Sequence, residues 1–396
     1  MNTFRVESVW RAGRVEHDQT IVVDHSGTIQ SIRPGAASDG EALPGLLVPG
    51  LINAHLHLEL SWMQGEVAAT QQGLVEWVER QLHVRSHPPS AEQRLAEERA
   101  QAAEMVAFGT AAVFDISNGD QTAEVLADAG LSGIVQHELL TMDRQRLPTV
   151  LKAVNQTREV IQRPACEIRR RPGPHALYST APQLLRESAH AEPELPFSIH
   201  IGESVEEQEF IGDGQGPFVA LMDALGVDWR WWDPVGMSLL AYLDALGLLG
   251  PRSLLVHGVL FDQAAYERIA ERQASLCLCP RSNRWITGRL PRVELALTAG
   301  CRLCIGTDSV ASNHDLDMFA EIAELGHSFP EIGMDVWLTA ATESGADVLG
   351  LPQLGRIDAG CAPGLLLLSE TDNVEALRAG PPSSRQWLVR PGIGDV

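Results

Sequence analysis

The sequence reads as an α/β chain: a (β/α)8 TIM barrel with a small β domain contributed by both chain ends. Three observations predict this. From Pro49 onward, short apolar strands alternate with helical stretches, the texture of βα units on a parallel sheet. Eight such strands can be counted, and eight units are what a barrel of this type requires. The two ends instead carry short β-prone runs with no helices between them.

Taken in order, residues 3 to 10, 20 to 24 and 28 to 32 read as strands, with the turn Asp24-His-Ser-Gly27 joining the last two. The barrel strands are expected at 48 to 57, 111 to 115, 133 to 138, 174 to 178, 197 to 201, 253 to 258, 275 to 279 and 303 to 308. Residues 60 to 90 lack a strand signal and follow the first barrel strand, so they are expected as a loop and helix over the barrel mouth. Ala91 to Phe108 is expected as a helix, with Leu95, Ala102 and Val106 on one face and Gly109 capping its end. Gly355 to Gly360, Leu365 to Leu368 and Gln386 to Val389 read as β again. Residues 1–48 with 355–396 are therefore taken as the small domain, and 49–354 as the barrel.

A formal net charge of −22 opposes binding to a polyanion, since phosphates are met by Lys and Arg. Nucleic acid is not an expected partner. No apolar block follows the first ten residues and no stretch approaches a membrane span, so a cytoplasmic protein is expected, with no membrane partner. Six cysteines over 396 residues are too sparse for a disulfide framework. Cys277 and Cys279, and Cys301 and Cys304, read as small buried residues on strands rather than as a zinc site. There is one lysine, Lys152, against 29 arginines. Its surroundings, Thr149 to Asn155, have the spacing of a surface helix.

The chemistry sits at strand ends, where barrels of this type build their active sites. His55 and His57, two residues apart on an extended strand, point to one side. The fifth strand ends in His200, the sixth in His257, and the eighth in Asp308 of Cys304-Ile-Gly-Thr-Asp-Ser309. One histidine at a strand end is a weak signal. Four strands ending this way read as a metal site, because imidazole and carboxylate ligands suit zinc, iron or manganese.

The start Pro49-Gly-(x)3-Ala-His-x-His57, the two later histidines and Gly306-Thr-Asp-Ser309 resemble the amidohydrolase superfamily over nearly the whole chain. The resemblance implies a distorted barrel with a flanking β-sandwich domain. It implies one divalent metal, Zn2+ before Fe2+ or Mn2+, on His55, His57, His200 and Asp308, with His257 beside the water. A lysine-bridged pair of metals is excluded, because Lys152 precedes the fourth strand by more than twenty residues. Glu138, ending the third strand, is read as a wall or hydrogen-bonding residue. His200-x-x-Glu203 is similar to the deaminase branch, whose carboxylate moves protons between water and a ring nitrogen. Glu206, Glu207 and Glu209 are read as surface charge.

On that pattern the metal brings the pKa of a water toward neutrality. Asp308 and His257 hold and deprotonate it, and Glu203 protonates the ring nitrogen so that ammonia leaves. His175 in Gly173-Pro-His-Ala-Leu-Tyr178 matches a substrate-contacting histidine of adenosine-type members. His57-Leu-Glu59-Leu-Ser61, Cys279-Pro-Arg-Ser-Asn283 and Gly306 to Asn313 look like the aminodeoxyfutalosine deaminases of menaquinone synthesis. That likeness makes a 6-aminopurine nucleoside the expected small-molecule partner. Glu59, Trp62, His175, Arg281, Asn283 and Ser309 are the expected substrate contacts. Arg281 would meet the substrate carboxylate, and Trp62 or the Trp229 to Trp232 cluster would stack on an aromatic ring.

Two departures, Thr342-Glu-Ser-Gly-Ala for the usual Asn-Gly-Ala and Gly364 in the closing motif, lie away from the chemistry. Large barrels of this kind often pair, so a homodimer is an expectation. S-adenosylhomocysteine or methylthioadenosine deaminase, guanine deaminase and chlorohydrolase remain alternatives, and a non-catalytic barrel scaffold is the alternative from another class. The scaffold reading expects a missing ligand, and none is missing.

Overall fold

The computed structural model describes residues 1–71 and 73–392. Eight parallel strands carry the larger part of the chain: β1 (Leu51–Leu56), β2 (Thr110–Ile116), β3 (Ser132–Leu139), β4 (Cys166–Pro174), β5 (Phe197–Ile201), β6 (Ser253–His257), β7 (Ser275–Leu278) and β8 (Arg302–Ile305). They form two sheets in the orders β1-β2-β3-β4 and β5-β6-β7-β8, the first with an antiparallel edge strand, Glu159–Arg163, on β4. Two parallel bridges link them, Ala176 to His200 past the end of β4 and Leu56 to Asp308 past the end of β8. This α/β arrangement is consistent with a TIM-barrel-like domain. Strands such as β2, β5 and β6 are buried at every residue, as expected where parallel strands are covered on both faces.

Helices α1 (Leu74–Arg85) and α2 (Ala91–Phe108) follow β1. The sequence signals for α2 hold. Ser90 and Gln93 make a reciprocal cap, and Gly109, at φ 104°, ends the helix in the left-handed conformation that favours glycine. Lys152 is exposed on the helix Leu147–Ala153.

The chain ends form one six-stranded sheet, in the order 386–389, 365–368, 43–49, 2–11, 14–23, 29–34. Val6, Val9, Ile21, Leu47, Leu365 and Val389 share its core. Where the resemblance implied a sandwich, the described strands of this domain belong to a single sheet. The expected strand 48 to 57 is two strands. Leu43–Pro49 joins the terminal sheet and Leu51–Leu56 the barrel, divided at Gly50, where a side chain would strike Ala111 and the Pro363 carbonyl. Gly355 to Gly360 is not a strand. Gly360 adopts φ 87° in a turn, and only isolated backbone bonds tie this stretch to Ile29.

The fourth barrel strand is Cys166–Pro174, not 174 to 178. Arg169, Arg170 and Arg171 break the apolar pattern that marks a strand in sequence. Arg171 is nevertheless buried, its guanidinium donating to the carbonyls of Pro172, Leu195, Pro196, Ser188 and Ala189. All six cysteines are free, and Cys277 and Cys304 are register neighbours on β7 and β8. No helix among the described residues is long and apolar enough to cross a membrane.

Candidate active site

Strand geometry delivers the predicted residues to one place. His55 lies within β1 and His57 just past it; His200 lies in β5, His257 ends β6, and Asp308 follows β8. His257 and Asp308 adopt φ 77° and 57°, a region that costs side-chain-bearing residues energy and persists where surroundings fix it. Here the fixing contacts are Gly258 N donating to the Ile201 carbonyl (3.1 Å) and Asp308 N to the His55 carbonyl (3.0 Å). Gly306 allows that second approach, since a Cβ there would fall 2.6 Å from the His55 carbonyl oxygen.

His57 Nε2 lies 3.3 Å from His200 Nε2. Asp308 Oδ1 lies 3.5 Å from His57 Nε2 and 3.7 Å from His55 Nε2. Two ligands on a tetrahedral zinc, each at about 2.1 Å, stand about 3.4 Å apart, so these spacings suit one shared ion. His55 is fully buried, and neither of its ring nitrogens has a hydrogen-bond partner. A neutral imidazole isolated in this way has a lone pair free for a metal. His200 Nδ1 donates to the His175 carbonyl at 3.1 Å, which turns its Nε2 toward the cluster. Burial holds His55, His57, His200 and His257 below the usual histidine range, reinforced by their mutual repulsion. His55, His57 and Asp308 form one group whose donor atoms lie within 4.8 Å of one another, His55, His200 and His257 a second, and Glu138, His175 and His200 a third, so donors able to hold a divalent metal are gathered here.

Asp308 is buried, which alone would raise its pKa. The neighbouring His57 and His257 and the Ser282 hydroxyl outweigh burial and leave it below the ordinary value, hence ionised. Ser282 Oγ donates to Asp308 Oδ2 at 2.5 Å, and Ser312 Oγ at 3.1 Å. Glu203 is the opposite case. Burial, then the charges of Asp308 and Glu207, push it well above the carboxylate range. Its Oε2 lies 3.7 Å from His257 Nε2, and its Oε1 has no partner. A carboxyl held below its ordinary value and another pushed above it thus flank the same histidine cluster, an arrangement suited to accepting one proton and donating another.

The expected substrate contacts divide. His175 belongs to the site, with its ring 4.9 Å from that of His200, Nδ1 2.5 Å from Ser179 Oγ, and Nε2 3.9 Å from Glu138 Oε1. Glu138 is pushed up to about 7 by burial, and its Oε1, without a hydrogen-bond partner, stands 3.9 Å from both His175 Nε2 and His200 Nδ1. Glu59 is held by Asn118 N at 3.0 Å. Asn283 Nδ2 lies 3.1 Å from His257 Nδ1, so its amide supports that histidine. Ser309 is buried, its carbonyl closing a turn with Ser312 N. Trp62 is half-buried against the main core.

Arg281 is corrected. Its Nη1 and Nη2 pair with Asp315 at 2.6 and 3.3 Å, and Nη1 reaches Glu321 at 3.5 Å, so two acids of the protein itself face the guanidinium offered to a substrate carboxylate. The tryptophan cluster packs: Trp229 and Trp232 sit against Phe210 with ring centres 5.1 and 5.7 Å away, and Trp231 Nε1 donates to the Met142 carbonyl.

Two of the acids read as surface charge are not. Glu207 is 1% exposed and accepts from Gly202 N and Glu203 N, while Glu206 accepts from Leu74 N and Val75 N at the start of α1. Nothing in a run of glutamates marks which of them turns inward. Ser282 and Ser312 were also missed as partners of Asp308, although both fall inside the stretches 279 to 283 and 306 to 313.

Comparison with known proteins gives the family. The model of the amidohydrolase family matches residues 46–382. The 5-methylthioadenosine/S-adenosylhomocysteine deaminase of Haloarcula marismortui is 28% identical over 373 residues, covering 89% of this chain and 81% of that protein. A zinc-bound adenosine deaminase from Xanthomonas campestris superimposes with a TM-score of 0.73 at 25% identity, covering 92% of this chain and 83% of that one. The Helicobacter pylori aminofutalosine deaminase, solved with methylthio-coformycin, gives a TM-score of 0.82 over the full length of both chains at 21% identity, a likeness of fold. With four histidines and an ionised aspartate gathered at the strand ends, and a family match spanning most of its length, the chain belongs to the amidohydrolase family, hydrolases of C–N bonds.

Proposed function

We propose that this protein hydrolytically deaminates a 6-aminopurine nucleoside, using one divalent metal, zinc in the first instance with iron or manganese as alternatives. The observation that carries the reading is geometric: two carboxyl groups face one histidine cluster, Glu203 Oε2 3.7 Å from His257 Nε2 and Asp308 Oδ1 3.5 Å from His57 Nε2. His55, His57, His200 and Asp308 would hold the metal. When bound, it supplies the Lewis acidity that makes water nucleophilic at neutral pH.

The chain's own groups do the rest. The Asp308 carboxylate accepts the proton released by the attacking water. Glu203 gives its proton to the ring nitrogen beside the amino-bearing carbon, where attack builds negative charge. His257, with Nε2 3.7 Å from Glu203 Oε2, holds the reacting oxygen between the two acids. The proton held by Asp308 then passes to the amino group and lets ammonia leave, while the hydroxyl proton of the adduct returns to Glu203 as the product carbonyl forms, restoring both acids. His175, Glu59 and Trp62 are the proposed substrate contacts.

Among nucleosides, aminodeoxyfutalosine is the proposed substrate, supported by the motifs around Glu59, Asn283 and Ser309, although Arg281 is no longer offered for its carboxylate. A second reading, methylthioadenosine or S-adenosylhomocysteine, is favoured by the named activity of the Haloarcula relative. The proposed partner is a small molecule, since a charge of −22 repels nucleic acid. The same reading takes 49–354 as the distorted (β/α)8 barrel and 1–48 with 355–396 as its flanking β domain.

Two readouts decide among these readings: ammonia release from aminodeoxyfutalosine, methylthioadenosine, S-adenosylhomocysteine, adenosine and guanine, and chloride release from a chlorinated triazine. Activity on the nucleosides is expected. Activity confined to guanine or the triazine, or none on any compound with the metal loaded, overturns the reading.

A further inference from the structure

Glu207 is the third residue of the helix α3 (Val205–Asp213), which begins immediately after Glu203-Ser204. Ser204 caps this helix, its Oγ accepting from Glu207 N at 3.4 Å. In the usual reciprocal cap, an acid at this third position reaches back to the N–H of the capping residue. Glu207 reaches further. Its Oε2 accepts from Gly202 N at 2.8 Å and from Glu203 N at 3.2 Å, the two residues before the cap.

That segment needs an anchor. Gly202 is in the left-handed region at φ 68°, and the Phe261 ring occupies the space a Cβ would take, 2.8 Å away. The Glu203 carboxyl has little to orient it directly: Oε1 has no partner, and Oε2 stands 3.7 Å from His257 Nε2. Where the carboxyl points is thus set mainly by the backbone that carries it. Glu207 is 1% exposed, and its own Oε1 is buried without a partner. Leaving a buried polar atom unsatisfied is costly, and a helix cap alone does not require it, because Ser204 already caps α3.

We propose that Glu207 is a positioning residue: by clamping the N–H groups of Gly202 and Glu203 with one oxygen, it fixes the Glu203 carboxyl opposite His257. The inference rests on the deaminase reading above for Glu203's role. It assigns Glu207 no contact with substrate or metal.

Because both bonds go to the same oxygen, Glu207→Gln retains the acceptor and Glu207→Met, of similar length, does not. In the full-length, metal-loaded enzyme, Glu207→Met is expected to lower kcat about tenfold or more with KM within about twofold and metal content unchanged, while Glu207→Gln stays within about threefold of wild type. Crystal structures of the two variants should show the Glu203 carboxyl displaced in the first and in place in the second.

A methionine variant with wild-type kcat overturns the proposal. So does a loss of activity explained by lost metal or raised KM, or a folded glutamine variant as impaired as the methionine one. If Glu207→Met does not fold, Glu207→Gln decides alone: a folded protein with kcat reduced tenfold refutes the clamp, and near-normal kcat supports it. If the wild type deaminates no nucleoside, the functional reading fails, and the position of Glu203 in the two crystal structures still tests the clamp.

Discussion

Ser282 gives its hydroxyl proton to Asp308 Oδ2 across 2.5 Å, leaving Asp308 Oδ1 as the oxygen that faces His55 and His57. A carboxylate with one oxygen committed in this way presents the other in a fixed direction. Groups that orient a ligand from behind matter nearly as much as the ligand itself.

Ser282→Ala is therefore expected to weaken metal affinity or activity by about 10–100-fold, with Ser312, at 3.1 Å, limiting the loss. Zinc titration against a competing chelator reads the affinity. An unchanged affinity together with unchanged kcat would show that Asp308 needs no such support.

Glu203→Gln removes a proton donor without removing a proposed ligand. The variant should keep its metal and its fold and lose ammonia release by about 10²–10⁴-fold. Metal content and ammonia are measured on the same sample, and near-normal turnover would sink the proton-transfer role.

Arg281, bound to Asp315 and Glu321, should matter for stability rather than for substrate. Arg281→Met removes the charged hydrogen bonds to Asp315 and is expected to cost about 1–3 kcal/mol. Urea unfolding measures it, with KM for the accepted nucleosides unchanged. The carboxylate-contact role would return if the variant unfolded like wild type and showed a raised KM for a carboxylate-bearing nucleoside alone.

Glu321 gives a pH dependence away from the metal cluster. Burial pushes its carboxyl from 4.5 up to about 8, against the opposing pull of Arg281 and the Asn313 amide. Between those values the folded chain keeps a proton that the unfolded chain has released, so stability falls as pH rises through the window. Glu321→Gln has no proton to lose there. Its urea midpoint should gain on that of wild type from about pH 5 to about pH 8, and a constant difference would contradict the buried neutral acid.

The candidate ligands were legible in sequence because a barrel strand delivers whatever follows its apolar run to one end of the sheet. His55, His57, His200, His257 and Asp308 each follow such a run, and their common location needs only the alternation of strand and helix. The fourth strand was misplaced for the same reason. Arg169 to Arg171 hide its apolar pattern, and the burial of Arg171 depends on carbonyls brought in from residues 188, 189, 195 and 196.

The sequence by itself determined the alternation of strand and helix after Pro49, the β character of both chain ends, and which histidines and which aspartate end apolar runs. All of these depend on local pattern. Only the tertiary structure decided that Arg281 faces Asp315 and Glu321, that the tryptophans pack on Phe210, and that Glu207 turns inward to Gly202 and Glu203 while Glu209 stays exposed. A side chain's partner is set by which donors and acceptors lie within about 3 Å of it. In a βα fold those groups come from segments distant in sequence, so no local spacing records them.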